Sequence, residues 1–139
     1  MSTASVPLAS LGANADFATK IQALLLPKYD TVHICLTPAT ATSELPEVCS
    51  GNLDTLPSSG LGSNVDRPAS ERRIPRAIIF GAGVQDDDVM SVMGAVRAKA
   101  PTVKMVRVTR KDIADAGADV PSPEVVAGVL KEILEGLDL

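Results

Sequence analysis

Two groups of carboxylates and small polar residues follow short apolar runs in this sequence, at points where a helical pattern begins. The first run, Val6 to Leu11, is followed by Gly12-Ala13-Asn14-Ala15-Asp16. The second run, at 76–81, is followed by Ala82-Gly83-Val84-Gln85-Asp86. Two neighbouring carboxylates can divide acid and base work when burial separates their pKa values. We therefore take Asp16 and Asp86 as the candidate catalytic residues, with plain capping of helix N-termini as the alternative.

The other candidate site residues are placed by topology, because the carboxyl ends of parallel strands meet at one edge of a sheet and ligands bind there. These residues are small, polar or cationic, which suits a small polar or carbonyl-bearing ligand. The predicted ligand-binding residues are Gly12, Asn14, Thr37, Gly81, Gly83, Gln85, Arg110, Arg72 and Arg73.

No metal site is predicted. The acids of the Asp86-Asp87-Asp88 run point in different directions in a helix, and the helix dipole explains acids in a first turn. Cys35 and Cys49 lack the spacing of zinc ligands, and the single histidine, His33, does not complete a site with them. We expect Cys35 to be a buried thiol and His33 to be structural.

A basic cluster flanks a polar segment later in the chain. Its members are Arg67, Arg72, Arg73 and Arg76. Guanidinium groups can clamp a carboxylate or a phosphate. The alternative is a set of solvated charges paired with nearby acids, which contributes little.

Composition narrows the class of protein. The chain has 139 residues, 45% of them hydrophobic, and a net charge of −4. The negative charge and the scarcity of aromatic residues argue against nucleic-acid binding. No apolar run approaches the roughly 20 residues that a membrane helix needs, and the N-terminus lacks the basic region of a secretory signal. We expect a cytoplasmic protein with no membrane or nucleic-acid partner.

Strand and helix patterns alternate along the chain. The predicted strands are 6–11, 29–37, 76–81 and 104–109, and the predicted helices are 15–27, 39–50, 86–100 and 123–137. This alternation predicts an α/β fold, a single-domain three-layer sandwich around a parallel sheet of about four strands. Strand orders 2-1-3-4 and 3-2-1-4 are both compatible. We favour 2-1-3-4, because the run at 76–81 is too apolar for an edge strand.

The segment 52–75 is rich in Ser, Gly and Pro and is longer than most connections in compact domains. We expect it to be mobile or irregular without ligand and to fold as a lid over the carboxyl ends of the strands when the site is filled. Arg72 and Arg73 would then reach the ligand.

Residues 5–37 resemble the first βαβ unit of Rossmann-type NAD(P)-binding proteins. Gly12 occupies the first glycine position, but Ala15 and Ala18 occupy the next two, and Asp16 lies where a phosphate would bind. Thr37-Pro38 supplies neither the acid nor the arginine that binds the adenosine ribose. The chain therefore resembles a short stand-alone Rossmann-like protein, one domain over 1–139, with a degenerate glycine loop. We predict no cofactor and no measurable binding of NAD(P).

These features favour a small cofactor-independent metabolic tailoring enzyme, of the isomerase, dehydratase or cyclase type. Two alternatives remain open: a non-catalytic ligand-binding or regulatory module, and a structural homodimer. A homodimer is expected in any case, because a four-stranded sheet leaves apolar helix faces to be covered. Val125, Val129 and Ile133 are candidates for that face.

Overall fold

The fold is a three-layer α/β sandwich around a four-stranded parallel sheet. The computed structural model describes residues 5–81, 83–117, 122–137 and 139. The strands are β1 (Val6–Leu11), β2 (Tyr29–Cys35), β3 (Ala77–Phe80) and β4 (Lys104–Arg107), in the order β2-β1-β3-β4. The predicted fold class and strand order are confirmed. All four residues of β3 are buried, as expected for a central strand that is covered on both faces.

Helices cover both faces of the sheet. They are α1 (Ala15–Leu25), α2 (Pro38–Cys49), α3 (Asp86–Lys99), α4 (Arg110–Asp115) and α5 (Pro123–Glu135). α1 packs against α5 over one face, and α2 packs against α3 over the other. None of the described helices is long and apolar enough to cross a membrane.

Two strands end earlier than the sequence pattern predicts, because threonine side chains cap the helices that follow. Thr37 accepts a hydrogen bond from the Thr40 amide at the start of α2. Thr109 accepts from the Asp112 amide, and the Asp112 carboxylate accepts from the Thr109 amide. This reciprocal pair is a capping box. It begins α4, a helix that we did not predict although the Thr-x-x-Asp spacing indicates one.

The last helix packs onto the core of its own chain. Val129 is buried, and Val125 and Ile133 pack against the cluster that joins α5 to α1 and the sheet. Val129 is therefore not available to a partner, whereas Val125 and Ile133 each keep part of their surface exposed. The dimer face stays a prediction. The homodimer itself stays a prediction, to be checked by the molecular mass in solution.

The segment 52–75, which we call the edge segment, runs along the outer edge of β2. Ser59 Oγ donates to the Ile34 carbonyl at 2.6 Å, and the Ile34 amide donates to the Leu61 carbonyl at 3.2 Å. Further on, Ser63 Oγ donates to a carboxylate oxygen of Asp30 at 2.7 Å. The segment, all of which the structure describes, forms no strand and no α-helix, only two short 3-10 helices, Ser63–Asp66 and Ala69–Glu71, so its predicted irregularity is confirmed. It is bound along its length by unpaired backbone groups and buried polar side chains of β2. Its closure over a bound ligand stays a prediction.

Candidate functional site

A cavity of about 400 Å³ opens where β1 and β3 end. This is the point at which the strand order changes direction, because the chain leaves β1 towards β2 on one side and later returns to β3 on the other. Crevices at such points are the usual ligand sites of parallel α/β sheets. The volume lies within the range of small-molecule pockets.

The walls are mainly apolar. From the mouth the cavity extends between the sheet and the layer formed by α1 and α5. Its apolar lining includes Leu11, Phe17, Ile21, Leu36, Ile79, Val84, Val108, Val126 and Leu130. A ligand with an apolar or flat body would be well accommodated there.

Five of the predicted site residues lie together on the cavity wall. They are Gly12, Asn14, Gly81, Gly83 and Gln85. They come from the loops after β1 and β3, which the strand order makes neighbours. A Cβ at Gly12 would meet no atom within 4 Å, so the backbone there faces open space.

The two proposed catalytic carboxylates do not line the cavity. Asp16 is exposed in the first turn of α1. Asp86 begins α3 with its side chain 81% exposed, and it forms an ion pair with Arg107. Both positions match the alternative interpretation, in which an acid at a helix N-terminus is stabilised by the helix dipole.

Four other predicted site residues do not line the cavity, although Thr37 lies between two residues that do, Leu36 and Pro38. Thr37 serves as the cap of α2, and Arg110 is exposed in the first turn of α4. Arg72 and Arg73 lie at the opposite end of the strands, near the amino ends of β1, β3 and β4. They do not reach the cavity because the edge segment follows β2 away from it.

Sequence reasoning missed three polar residues of the lining: Ser10, Thr31 and Asp88. Asp88 belongs to the acidic run that we attributed to the helix dipole. Its position two residues into α3 turns it towards the cavity, while Asp86 turns outward. The helical spacing of 100° per residue is the signal that separates the two acids. Asp88 is half-buried and is the one carboxylate among the described lining residues.

A second polar cluster lies on the other face of the sheet. His33 Nε2 donates to Glu44 Oε1 at 2.9 Å, and Cys35 Sγ lies 3.8 Å from the same oxygen. Ser58 of the edge segment donates to Glu44 Oε2 at 2.6 Å.

Burial and the Glu44 carboxylate raise the pKa of the Cys35 thiol. Burial raises the pKa of Cys49 to about 12. Both thiols are expected to be unreactive.

The ligand atoms of His33, Cys35 and Glu44 lie within 4.8 Å of one another, a proximity that the sequence spacing did not reveal. These residue types suit zinc. A metal on Nε2 would place the imidazole hydrogen on Nδ1, which is buried and has no partner among the described residues. Zinc-bound histidines normally donate that hydrogen to an acceptor. We therefore interpret the cluster as a hydrogen-bonded anchor for the edge segment.

His33 makes stability depend on pH. Burial lowers its pKa below the ordinary 6.5, and this effect outweighs the opposing influence of Glu44. The unfolded chain therefore takes up a proton at a higher pH than the folded chain does. We expect the free energy of unfolding to fall as the pH drops below about 6.5, by at most about 1.4 kcal/mol per pH unit. Urea unfolding of the wild type and of His33→Gln, from pH about 7.5 to about 5.5, measures this. Parallel pH curves for the two proteins would contradict the assignment.

The chain is similar to one curated fungal protein. It shares 28% identity over 136 residues with the protein named Kojic acid related protein 6 of Aspergillus oryzae (strain ATCC 42149 / RIB 40). The similarity covers 97% of this chain and 77% of that protein. No family model and no solved structure matches the chain.

Proposed function

We propose that this protein binds a small, neutral, carbonyl-bearing molecule of secondary metabolism in the cavity between the ends of β1 and β3. The observation that carries the proposal is the cavity itself, about 400 Å³ of mainly apolar space at the point where the strand order reverses. An apolar cavity with a few polar groups at its mouth is the usual form of a small-molecule site.

The polar groups at the mouth favour a carbonyl oxygen as the recognised feature. Asn14 Oδ1 accepts the Phe17 amide at the start of α1, which leaves the Asn14 NH₂ group as a donor. Gln85 precedes α3 without a side-chain hydrogen bond to it. Two amide groups with free N–H donors can together bind one carbonyl oxygen.

The charge at the cavity favours a neutral ligand. Among the described lining residues there is one carboxylate, Asp88, and no lysine or arginine. A phosphate group would meet a negative charge without a compensating cation. The same argument supports the prediction that NAD(P) does not bind here.

The similarity to Kojic acid related protein 6 supports a ligand from secondary metabolism and suggests a probe. Kojic acid is a small ring ketone that carries hydroxyl groups. Its flat ring suits the apolar walls, and its carbonyl suits the amides of Asn14 and Gln85. We therefore choose kojic acid as the first probe of the cavity.

The experiment compares kojic acid binding to the wild type and to Gly12→Leu. A Cβ at Gly12 meets no atom within 4 Å, so a larger side chain can begin there, and a leucine is expected to occupy the cavity mouth. We expect saturable binding to the wild type, followed by amide chemical shifts, and loss of that binding in the variant. The matched control is Gly94→Leu, because Gly94 is exposed on α3, also has open space around it and does not line the cavity.

Loss of binding in Gly12→Leu with retention in Gly94→Leu supports the site. Two results would overturn the proposal for this probe: no binding up to about 10 mM, which corresponds to less than about 3 kcal/mol of affinity, or equal binding by both variants. Thermal unfolding of both variants confirms that they are folded.

A second candidate function is turnover of the bound molecule, and the placement of Asp88 favours it. A half-buried carboxylate on the cavity wall can remove a proton from the carbon beside a carbonyl group, while Gln85 binds the carbonyl oxygen. Isomerases and dehydratases share this step. Asp88 then takes the role that we first assigned to Asp16 and Asp86.

Proton exchange with deuterated water, followed by NMR, separates binding from turnover. The exchange probe is hydroxyacetone, because kojic acid has no sp3 C–H group beside its carbonyl; when such a proton is removed, the electron pair of the C–H bond moves onto the carbonyl oxygen and forms an enolate. An enzyme of this type catalyses exchange at the carbon beside the carbonyl, and Asp88→Asn abolishes it while retaining binding. Asp87→Asn is the control, because Asp87 is a neighbouring exposed acid that does not line the cavity. Binding without exchange in the wild type supports the non-catalytic module.

A further inference from the structure

The structure divides the four arginines of the basic cluster into two pairs. Arg67 and Arg73 both pair with the buried Asp30 carboxylate, at 2.8 and 3.7 Å. Arg72 and Arg76 form no ion pair within the described part of the chain. The first pair therefore stabilises the fold through a buried carboxylate, and the positive charges of the second pair are not neutralised by any described acid.

Arg72 and Arg76 line a depression of about 660 Å³ near the amino ends of β1, β3 and β4. Lys104, the first residue of β4, lines it with them. Like Arg72 and Arg76, Lys104 has no ion-pair partner among the described residues. No aspartate or glutamate contributes to the described lining. Arg73 also lines the depression, so four cationic side chains surround one concave surface. Arg73 is paired with Asp30, and the other three have no ion-pair partner among the described residues.

Arg72 is held in a fixed position there. Its Nε donates to the Arg67 carbonyl at 3.1 Å, and its Nη1 donates to the Leu53 carbonyl at 2.9 Å. The side chain is half-buried. Carbonyl oxygens orient a guanidinium group without neutralising its charge, and Nη2 makes no hydrogen bond within the described structure. The result is a preorganised donor with a positive charge that is partly removed from water.

An anion bound in the depression would reduce the repulsion among these cations. Three cations on one surface repel one another, and the chain as a whole has fewer basic residues, 13, than acidic ones, 17. From this concentration of uncompensated charge we infer that the depression is an anion site. It binds the phosphate or carboxylate group of a small molecule, with Arg72 Nη2 as the fixed donor and with Arg76 and Lys104 as exposed cations that supply further positive charge.

The anion site and the cavity are separate. The cavity lies at the carboxyl ends of the strands, and the depression lies at their amino ends, so no lining residue is shared. The inference does not rest on the proposed function, and each can be disproved without the other.

Inorganic phosphate and succinate are the two probes, and each is titrated at low ionic strength with detection by amide chemical shifts. We expect saturable shifts around Arg72, Arg76 and Lys104. Binding of phosphate alone identifies a phosphate site, and binding of succinate alone identifies a carboxylate site. If both probes bind, the site recognises either group, and if neither binds, the inference is overturned.

The double variant Arg76→Gln/Lys104→Gln should weaken anion binding about tenfold or more, because charge-assisted hydrogen bonds are lost. Both side chains are exposed, so the fold should be unaffected. The matched control is Lys20→Gln/Lys131→Gln, which removes two exposed charges that lie outside the depression. Equal weakening in both double variants would show general charge attraction and would overturn the site.

Arg72→Lys adds a test of the fixed donor. It retains the positive charge but cannot bond both carbonyls and still hold a further N–H group towards the anion. We expect weaker anion binding with little change in its salt dependence. Unchanged affinity in a folded Arg72→Lys protein would remove Arg72 from the site.

Discussion

Replacing Gly62 by alanine should lower the free energy of unfolding by about 3 kcal/mol, because the new Cβ collides with the backbone of β2. Gly62 has φ +115°, a conformation that side chains rarely adopt, and its Cβ would lie 2.7 Å from the Val32 carbonyl carbon and 2.9 Å from His33 Cα. Backbone atoms of a buried strand cannot move aside. The edge segment must therefore shift away from β2, and the hydrogen bond between the Ile34 amide and the Leu61 carbonyl is lost.

Urea unfolding measures the loss of stability, and hydrogen exchange locates it. The Ile34 amide should exchange much faster in Gly62→Ala, because its acceptor moves away. Gly60→Ala is the control, since Gly60 also has a positive φ, +74°, but open space around it. Left-handed strain alone should cost this control about 1 kcal/mol. Equal losses in the two variants would mean that the edge segment does not approach β2 as described.

Replacing Asp30 by asparagine should destabilise the protein by about 2–3 kcal/mol. The Asp30 side chain is 4% exposed, pairs with Arg67 and Arg73, and accepts a hydrogen bond from Ser63. Asparagine retains the shape but leaves two half-buried guanidinium groups without a carboxylate. Their partial exposure to water moderates the cost. Chemical unfolding of the variant at neutral pH gives the value.

Limited proteolysis shows where the Asp30→Asn protein opens. We expect cleavage within the edge segment, because its attachment at the start of β2 depends on Asp30. Asp66→Asn serves as the control, since Asp66 is an exposed acid of the same segment and its loss should change stability by no more than about 0.5 kcal/mol. If Asp30→Asn is as stable as this control, the ion pairs contribute nothing to the fold.

Both predictions concern the protection of β2. A strand at the edge of a sheet presents unpaired amides and carbonyls that can join another chain. Here the edge segment occupies part of that edge, with backbone and serine groups bonded to Ile34 and with side chains bonded to Asp30 and Glu44. We expect Gly62→Ala and Asp30→Asn to aggregate on heating more readily than their controls.

Local patterns in the sequence were enough to predict the strand order and the position of the cavity. A continuous apolar run at 77–80 requires burial on both faces, so β3 had to be central. Once β1 and β3 are neighbours, the residues that follow them must meet. Gly12, Asn14, Gly81, Gly83 and Gln85 accordingly lie on one cavity wall. Each strand and each loop after it was identified from residues that are close together in the chain, and the rules for parallel sheets then placed the two loops side by side.

Only the tertiary structure decided which charged and polar side chains are paired and which are free. Asp30 binds Arg67, and Glu44 binds Ser58, across long stretches of chain. A list of acids and bases does not contain these pairings, because the energy of a charge depends on burial and on the distance to its partner. The same dependence separates Asp88 on the cavity wall from the exposed Asp86. Within the described part of the chain it also leaves Arg72 and Arg76 without an acid, although they come from the same basic cluster as the two arginines that Asp30 binds.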